Sequence, residues 1–448
     1  MDGGRSGSAQ LLCALAILVA LAAVLVASPG DRAAAGGDGD GAKRAASLDP
    51  DALARISVRS TPAVARRVAR IRGLEFKRVP KPEVVDGDYL NRLGEREFER
   101  AGGRKRIGAD EAAARITGLL APDEQLESLY GSTGDLAAAA YDTERDRLYV
   151  VSDAVVPNRA LVEFVLAHEL DHALEDERYG LPDIERLDDD AALAQTALTE
   201  GSATSVMVDY GASYLSPTEL LGATAGVDDG TAGVPKFAVD QLLWTYLQGN
   251  EFVAELRGLA GGWKLVDYAI AHREPATTEQ ILHPTKYVHD ERPLPTRVEG
   301  TALRQAGWRP ADRSVLGEYG TGQMLGLGAD KAVALRAAAG WGGDSYELWR
   351  RSAHPAGCKA PCRSNLVLAM AWRWDSSQAA AQFGRAVPTY VERGLGAEAQ
   401  GRDVWRVEDG YVALAVAGPR SGLVFAPTAA LARRVAAQQA SNAATIGP

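Results

Sequence analysis

Cysteine and histidine are scarce in this 448-residue sequence, which contains three and six of them, respectively. Cys13 lies within an apolar run, so Cys358 and Cys362 form the only pair in the rest of the chain. No other cysteine is left and the nearest histidine, His354, stands alone, which argues against a metal site built on this pair. In an oxidising compartment we therefore expect Cys358 and Cys362 to close a small disulfide loop.

The sequence also has no excess of basic residues over acidic ones. The 49 Lys and Arg residues are outnumbered by 59 Asp and Glu residues, which gives a net charge of −10 and an isoelectric point near 5.3. This balance argues against a nucleic-acid-binding surface as the main function. Hydrophobic residues make up 46% of the chain, enough for a sizeable core, and the length allows two domains or one large domain with an appendage.

Only one long hydrophobic run is present, at residues 11–27 (LLCALAILVALAAVLVA), and it is preceded by Arg5. Its length lies between that of a signal-peptide core and that of a minimal membrane span. The sequence AAA at 33–35 favours a cleaved signal peptide, whereas the length of the run favours an uncleaved anchor. Residues 28–46 are rich in Gly, Ala and Asp, and we predict a flexible linker there. Both alternatives predict an extracytoplasmic protein, either secreted or anchored to the cell membrane.

The hydrophobic periodicity predicts an α+β fold. Residues 47–73 have helical spacing with Ser47 or Asp49 as a possible N-cap, and residues 137–153 (AAAAYDTERDRLYVVSD) alternate in the manner of a β-hairpin. Helical spacing returns after the hairpin, and the C-terminal third follows the order α-β-β-α-β-β. The predicted organisation is a signal or anchor segment with its linker at 1–45, a mainly helical domain with a small edge-strand sheet at 46–300, and a smaller α+β domain of unknown role at 301–448.

Residues 167–177 read AHELDHALEDE and place two histidines four positions apart. On a helix, His168 and His172 lie on one face with Cβ atoms about 5–6 Å apart, close enough to bind one metal ion. A catalytic zinc ion takes three protein ligands and keeps one position open for water, and Glu169 lies where a carboxylate can accept a proton from that water. The alternative is a polar turn of an ordinary helix. The apolar neighbours predict a buried helix, in which histidines without partners would be costly.

Glu200, in the segment LTEGSATSVMVDY, is the candidate for the third ligand. It follows His172 by 28 residues, which allows a loop and then a second helix packed antiparallel against the first. An unpaired carboxylate among small and apolar residues would be costly, and this favours metal binding. The alternative is a capping or exposed glutamate beside Gly201. Thr204 and Asp176 each lie one turn from a ligand and are candidates to orient it through a hydrogen bond.

The HExxH pattern, followed by a glutamate on the next long helix, resembles the gluzincin metallopeptidases. The resemblance implies that His168, His172 and Glu200 bind zinc and that Glu169 is the general base. It also implies a mainly helical, zincin-like domain, in which the strand RLYVVS (147–152) is an edge strand that pairs with an extended peptide substrate.

A closer similarity is to uncharacterised bacterial proteins, themselves predicted metallopeptidases, that carry HELTHALQDQ, EGxAT and TEQILHPxKY. The corresponding segments here are HELDHALEDE, EGSAT and TEQILHPTKY, together with GWGGD, and the similarity covers about residues 70–440. Asp171 and Glu175 stand where those proteins usually have Thr and Gln. We expect these two differences to change solubility or local pKa values rather than metal binding.

Metallopeptidases of the gluzincin clan usually place a His or Tyr opposite the base, where it stabilises the oxyanion. The resemblance implies His283 and Tyr287, in the TEQILHPTKY segment, for this catalytic role. The alternative is that both residues anchor a structural loop. Tyr210, further along the helix of Glu200, is a weaker candidate that also fits the core.

The expected function is that of an extracytoplasmic zinc-dependent peptidase, which hydrolyses peptide bonds with metal-activated water and Glu169 as general base. The expected partners are Zn²⁺ and a peptide or protein substrate, with no nucleic acid and with membrane association through the N-terminal segment. Two alternatives stay open: a non-catalytic cell-surface binding or scaffold protein with a structural zinc site, and an inactive relative of the peptidases. An open ligand position and Glu169 favour the enzyme, because a structural site needs neither.

Overall fold

The computed structural model describes residues 11–15, 48–100, 103–154, 156, 158–216, 218–219, 233–351 and 363–441, and within them the fold is α+β. The chain forms two compact units. Unit 1 comprises Met1–Gly103, Leu126–Arg186 and Gln195–Pro275, and unit 2 comprises Arg104–Gln125, Leu187–Ala194 and Ala276–Pro448. The predicted domains at 46–300 and 301–448 stay a prediction. The two units are defined by spatial contacts, and unit 2 also includes Arg104–Gln125 and Leu187–Ala194, which precede residue 301 in the sequence.

Three predicted features lie outside the described residues: the linker at 28–46, the AAA sequence at 33–35, and the disulfide between Cys358 and Cys362. Of the hydrophobic run, only residues 11–15 are described, and their backbone forms a strand. No helix in the described part of the chain is long and apolar enough to cross a membrane.

The described helices follow one another through both units. In chain order they are α1 (Pro50–Arg72), α2 (Gly87–Arg100), α3 (Gly103–Thr117), α4 (Glu127–Gly131), α5 (Thr133–Leu136), α6 (Arg159–Tyr179), α7 (Asp189–Tyr214), α8 (Lys236–Ala260), α9 (Lys264–His272), α10 (Thr278–Leu282), α11 (Pro284–Val288), α12 (Thr301–Gln305), α13 (Gly317–Leu325), α14 (Lys331–Ala338), α15 (Ser377–Thr389) and α16 (Ala429–Ser441). The strands are β1 (Leu11–Leu15), β2 (Pro82–Val85), β3 (Ala137–Asp142), β4 (Arg147–Val151), β5 (Arg309–Ser314), β6 (Trp341–Arg350), β7 (Leu366–Trp374), β8 (Glu398–Ala399), β9 (Val404–Val407), β10 (Gly410–Ala417) and β11 (Arg420–Ala426).

Helix α1 begins and ends at residues that satisfy its free backbone groups. The side chain of Asp49 accepts a hydrogen bond from the Ala52 amide at 2.8 Å, and Pro50 occupies the first turn. Gly73 follows the last helical residue with a φ of +67°, a left-handed conformation that glycine adopts without strain. The predicted helix and its Asp49 cap are confirmed.

The small sheet of unit 1 has the strand order β1-β3-β4-β2. Strands β3 and β4 form the predicted hairpin, and in its turn Asp142 accepts hydrogen bonds from the backbone amides of Glu144 and Arg145, both at 3.0 Å. Strand β4 also pairs in parallel with β2, and β1 pairs antiparallel with β3. The prediction that RLYVVS is an edge strand is therefore wrong, because β2, from far upstream in the sequence, pairs along its second side.

Helix α6 carries the HELDH segment and is buried around its whole circumference from residue 160 to residue 175. Its first turn is capped by Asn158, whose side chain accepts a hydrogen bond from the Leu161 amide at 3.0 Å, and Gly180 follows its last residue. Burial on all sides is typical of a helix in a protein interior, although this helix also buries His168, His172 and four acidic side chains there. The prediction of a buried motif helix is confirmed.

Unit 2 contains a seven-stranded antiparallel sheet in the order β5-β6-β7-β11-β10-β9-β8. Side chains from one face pack with α3, α13, α14 and α15, and side chains from the other face pack with α12 and α16. The order from α14 to α15 agrees with the first four elements of the predicted α-β-β-α-β-β pattern, but four strands, β8 to β11, follow α15 where the pattern had two. Strand β5 was not predicted, and Trp341 of the GWGGD segment begins β6 directly after Gly340.

Candidate metal centre

Three potential metal ligands meet between helices α6 and α7. His168 and His172 lie on one face of α6, and their Nε2 atoms are 3.1 Å apart. Oε2 of Glu200, on α7, lies 3.1 Å from Nε2 of His168 and 3.5 Å from Nε2 of His172. The structure therefore brings together the three residues that were predicted from the sequence as ligands.

The spacing of these three atoms fits a zinc ion. Zinc lies about 2.0–2.2 Å from nitrogen and oxygen ligands, so two ligand atoms of a tetrahedral site are about 3.3–3.5 Å apart. The observed separations of 3.1, 3.1 and 3.5 Å are close to that value. Two histidines and one glutamate are also a set of ligands found in catalytic zinc sites, which leave the fourth position to water or substrate.

The centre is deeply buried. His168, Glu169 and His172 are 0% exposed and Glu200 is 3% exposed. Nδ1 of each histidine has no hydrogen-bond partner among the residues that the structure describes. Burying two imidazoles and two carboxylates is costly unless each group is paired, and a shared cation is one arrangement that pairs them.

Burial and charge act in opposite directions on these groups. Burial disfavours the ionised form of Glu200, but the attraction of His172 and hydrogen bonds from both histidines outweigh it and lower the pKa of Glu200 to about 2. Burial lowers the pKa of His168, whereas the charge of Glu200 outweighs burial at His172 and raises its pKa to about 9. Glu200 is therefore an anion at neutral pH. Its negative charge favours protonation of His172, and a metal ion bound to that histidine would compete with the proton.

Helices α7 and α8 cross at two glycines beside Glu200. A Cβ atom on Gly201 would lie 2.2 Å from the carbonyl carbon of Gly249, and a Cβ atom on Gly249 would lie 2.0 Å from the carbonyl oxygen of Ala197. Only glycine fits at both positions, because backbone atoms cannot rotate away from an added methyl group. The second residue of the EGSAT segment thus permits the close approach of α8.

The crossing places an aromatic residue of α8 next to the metal centre. The ring centroid of Tyr246 lies 5.7 Å from that of His168, the two rings are tilted by 32°, and Tyr246 is only 1% exposed. Tyr246 was missed in the sequence analysis, because no motif included it. The one available signal was Gly249, since a glycine inside a helical pattern often marks a close approach of two backbones.

The other candidate catalytic residues, His283 and Tyr287, belong to unit 2. Nε2 of His283 lies 3.0 and 3.1 Å from the two carboxylate oxygens of Glu318, and this hydrogen bond raises the pKa of His283. Tyr287 is 1% exposed. The catalytic role of both residues stays a prediction, and their surroundings in unit 2 favour the alternative of a structural loop.

Side chains of the TEQILHPTKY segment (278–287), and of Thr277 just before it, form hydrogen bonds within unit 2. Thr277 caps α10, and the hydroxyl of Thr278 donates a hydrogen bond to Asp190 at 2.5 Å. The ammonium group of Lys286 lies 2.6–2.8 Å from carboxylate oxygens of three residues, namely Glu279, Glu291 and Asp375. These three carboxylates form a further group that could hold a cation, and within the described chain the lysine supplies the positive charge there.

Three weaker predictions concerned residues near the ligands. The hydroxyl of Tyr210 donates to Glu163 and accepts from Arg67, both at 2.7 Å, so its polar atom is engaged within the α1–α6–α7 packing. Asp176 accepts hydrogen bonds from the Tyr141 hydroxyl and a backbone amide. The Thr204 hydroxyl is buried without a partner in the described residues. The hydrogen bonds described for Tyr210 and Asp176 go to residues other than His168, His172 and Glu200.

Asp171 and Glu175 are both 0% exposed, which argues against the first of the two expected effects, a change in solubility. The expectation of a changed local pKa is confirmed for Glu175. Burial and the neighbouring charge of Asp171 raise the pKa of Glu175 to about 7, in spite of the opposing charge of Arg72. Arg72 was not singled out in the sequence analysis.

Comparison with known proteins adds one match. Residues 304–436 match a family model described as Domain of unknown function (DUF8575). The match lies within unit 2 and does not include His168, His172 or Glu200. No curated protein and no solved structure matches the chain.

Proposed function

We propose that this protein is an extracytoplasmic zinc-dependent peptidase with a zincin-like catalytic part. The observation that carries the proposal is the convergence of Nε2 of His168, Nε2 of His172 and Oε2 of Glu200 within 3.5 Å of one another. Glu169, the residue that follows the first histidine, is buried on the same helix. The choice of a peptide bond as the target rests on the resemblance of this pattern to the gluzincins.

Each residue of the metal centre has a separate role in the proposed hydrolysis. Bound zinc would supply Lewis acidity to a water molecule and to the scissile carbonyl group. His168, His172 and Glu200 would hold it, with the carboxylate offsetting part of its charge. Glu169 is the general base that accepts a proton from the attacking water and passes it to the leaving amine. Because the centre is buried, charges that develop during the reaction would be weakly screened.

The first experiment compares Glu169→Gln with the wild-type protein. The amide keeps the size of the side chain but cannot accept the proton, so we expect loss of hydrolysis with about one zinc still bound per chain. Cleavage is followed by mass spectrometry on a mixture of unstructured peptides, and zinc by elemental analysis. Glu177→Gln, at the C-terminal end of the same helix, is the matched control and should keep both properties.

Two outcomes would overturn parts of this proposal. Turnover by Glu169→Gln at the wild-type rate would remove the general-base assignment while leaving the metal site intact. A wild-type chain that takes up no zinc when zinc is supplied would remove the whole proposal, and the HELDH segment would then be a polar part of a buried helix.

A second candidate function is a non-catalytic binding or scaffold protein with a structural zinc site. The observation that favours it is the burial of all four residues, which are at most 3% exposed, whereas a substrate must reach a catalytic zinc ion. This candidate predicts that zinc binds and raises the melting temperature, that no peptide is cleaved, and that Glu169→Gln changes neither stability nor zinc content. The same set of measurements therefore separates the two functions.

The extracytoplasmic location is a proposal that rests on the hydrophobic run at 11–27. It predicts export of the chain from the cytoplasm, with the N-terminus of the exported protein after residue 27 if the run is a signal peptide, and before it if the run is an anchor. Mass spectrometry of the intact chain from each cell fraction distinguishes these results from retention in the cytoplasm.

A further inference from the structure

Arg72, the last residue of α1, lies beside the metal centre in a group of charged side chains, of which Arg72, Asp171 and Glu175 are fully buried and Asp267 is 23% exposed. Its Nη1 atom is 2.7 Å from Oδ1 of Asp171 and 2.5 Å from Oε1 of Glu175, both on α6. Its Nη2 atom is 2.6 Å from Oδ1 of Asp267 on α9. The guanidinium carbon also lies 4.3 Å from the ring centroid of Trp263, so one face of the group is covered by an aromatic ring.

This charged group connects the two helices that hold the metal ligands. Asp171 directly precedes His172 in the sequence. On the other helix, Ser202 follows Glu200 by two residues, and its hydroxyl donates a hydrogen bond to Oε1 of Glu175 at 2.6 Å. Nη1 of Arg72 lies 3.3 Å from the same hydroxyl oxygen. The guanidinium group of Arg72 therefore contacts Asp171, which precedes a ligand on α6, and Ser202, which lies two residues after a ligand on α7.

Arginine is suited to this place for a geometric reason. Its planar fork directs several N–H groups at once towards Asp171, Glu175 and Asp267, whereas the ammonium group of lysine is a point charge on a flexible chain. The three carboxylates surround one cation, and removing that cation would leave buried negative charges without compensation.

Packing of α1 against α6 does not by itself require a charged contact at this position. Arg67, five residues earlier on α1, already joins the two helices through Glu163, with Nη1 3.0 Å from Oε2. Glu163 lies five residues before His168. Its carboxylate accepts hydrogen bonds from Ser60, Arg67, Arg159 and Tyr210, none of which is a ligand or directly adjacent to one in the sequence. The two arginines therefore make the same kind of contact between the same two helices, but only Arg72 makes it next to ligands.

We propose that Arg72 is a positioning residue of the metal site, which holds His172 and Glu200 at metal-binding distance through Asp171, Glu175 and Ser202. This inference rests on the proposed zinc site and adds to it the residue that fixes the distance between its two helices. Changes to residues that orient metal ligands typically weaken metal binding by about 10–100-fold. Arg72→Lys keeps the charge and loses the fork, so we expect a loss of zinc affinity within that range.

The experiment uses the full chain and the pair Arg72→Lys and Arg67→Lys, which make the same substitution on the same helix. Zinc affinity is measured at neutral pH by competition with a chelator of known affinity, and the melting temperature is measured on the metal-free proteins. We expect Arg72→Lys to weaken zinc binding by about 10–100-fold and Arg67→Lys to leave it within a factor of about 3, the usual scatter of such effects. Equal zinc affinities for the two variants would overturn the inference.

Two further measurements keep the test decisive if Arg72→Lys does not fold. Ser202→Ala removes the hydroxyl link between the helices without changing any charge, and we expect it to weaken zinc binding by about tenfold. In the cobalt-substituted protein, a change in ligand geometry would alter the visible absorption spectrum in Arg72→Lys and Ser202→Ala but not in Arg67→Lys. If Arg72→Lys does not fold, a wild-type spectrum and a wild-type zinc affinity in Ser202→Ala would by themselves overturn the positioning role.

Failure of this inference can be told apart from failure of the proposed function. If the wild-type chain binds no zinc, the proposed metal site is wrong and the inference falls with it. If the wild-type chain binds zinc tightly and Arg72→Lys binds it equally well, only the positioning role of Arg72 is wrong. The measurement does not depend on finding a substrate.

Discussion

The glycine crossing of α7 and α8 gives the sharpest test of the packing around the metal centre. In Gly201→Ala, the new methyl carbon would lie 2.2 Å from the carbonyl carbon of Gly249. An ordinary contact between two carbon atoms is about 3.5–4.0 Å, so the overlap is about 1.3 Å or more. The nearest atoms belong to the backbone of α8, and the strain can be relieved only by moving one helix relative to the other.

Two terms of opposite sign set the expected change in stability. Overpacking of this kind lowers the free energy of unfolding by about 1–3 kcal/mol, and the upper end applies here because no flexible side chain can yield. Alanine is favoured over glycine inside a helix by about 1 kcal/mol, which offsets part of the loss. We expect Gly201→Ala to be less stable by about 2 kcal/mol. It should also bind zinc at least about tenfold more weakly, because Glu200 is the adjacent residue and moves with the helix.

The stability is measured by urea-induced unfolding of the metal-free protein, and zinc affinity by chelator competition. Gly258→Ala is the control, since Gly258 lies near the end of α8, the other helix of the crossing, and a Cβ atom there meets nothing within 4 Å. We expect this control to be stabilised by up to about 1 kcal/mol with unchanged zinc affinity. If Gly201→Ala were as stable as the control and bound zinc equally well, the reasoning about the crossing would be refuted.

Two further predictions concern stability away from the centre. Burial and the charge of Asp142 raise the pKa of Glu97 from 4.5 to about 7. Between these two pH values the folded wild type keeps a proton that the unfolded chain has lost. The stability of the wild type therefore falls as the pH rises from about 4.5 to about 7. Glu97→Gln should gain up to about 3 kcal/mol relative to the wild type between pH 4.5 and 8 in urea unfolding, and a constant difference would contradict the shift. Gly317→Ala should lower the melting temperature far more than Gly307→Ala, because both glycines have a positive φ but only at position 317 would the methyl group meet Asp190, 1.7 Å away. Equal losses in these two variants would contradict that contact.

The parts of the fold that could be predicted from the sequence are those fixed by neighbours in the chain. The N-cap of α1 needs only Asp49 and the amide of Ala52, and the β3–β4 hairpin needs only alternating residues with Asp142 at the turn. The edge position of β4 was predicted wrongly for the opposite reason. Its neighbour β2 pairs in parallel from a distant part of the chain, and a parallel partner leaves no signal in the turn or in the alternation of β4 itself.

The same distinction applies to the metal centre. The meeting of His168 and His172 follows from helix geometry alone, and Glu200 could be predicted because a carboxylate among small and apolar residues needs a partner. Arg72 contacts Asp171 and Glu175 across sequence separations of 99 and 103 residues, and no periodicity links such positions. The apolar neighbours in HELDHALEDE predict a buried helix, but they do not predict the partner of its carboxylates. Only the packing of α1 against α6 shows that Asp171 and Glu175 share one arginine, and this is why their effect is expected on the metal site rather than on solubility.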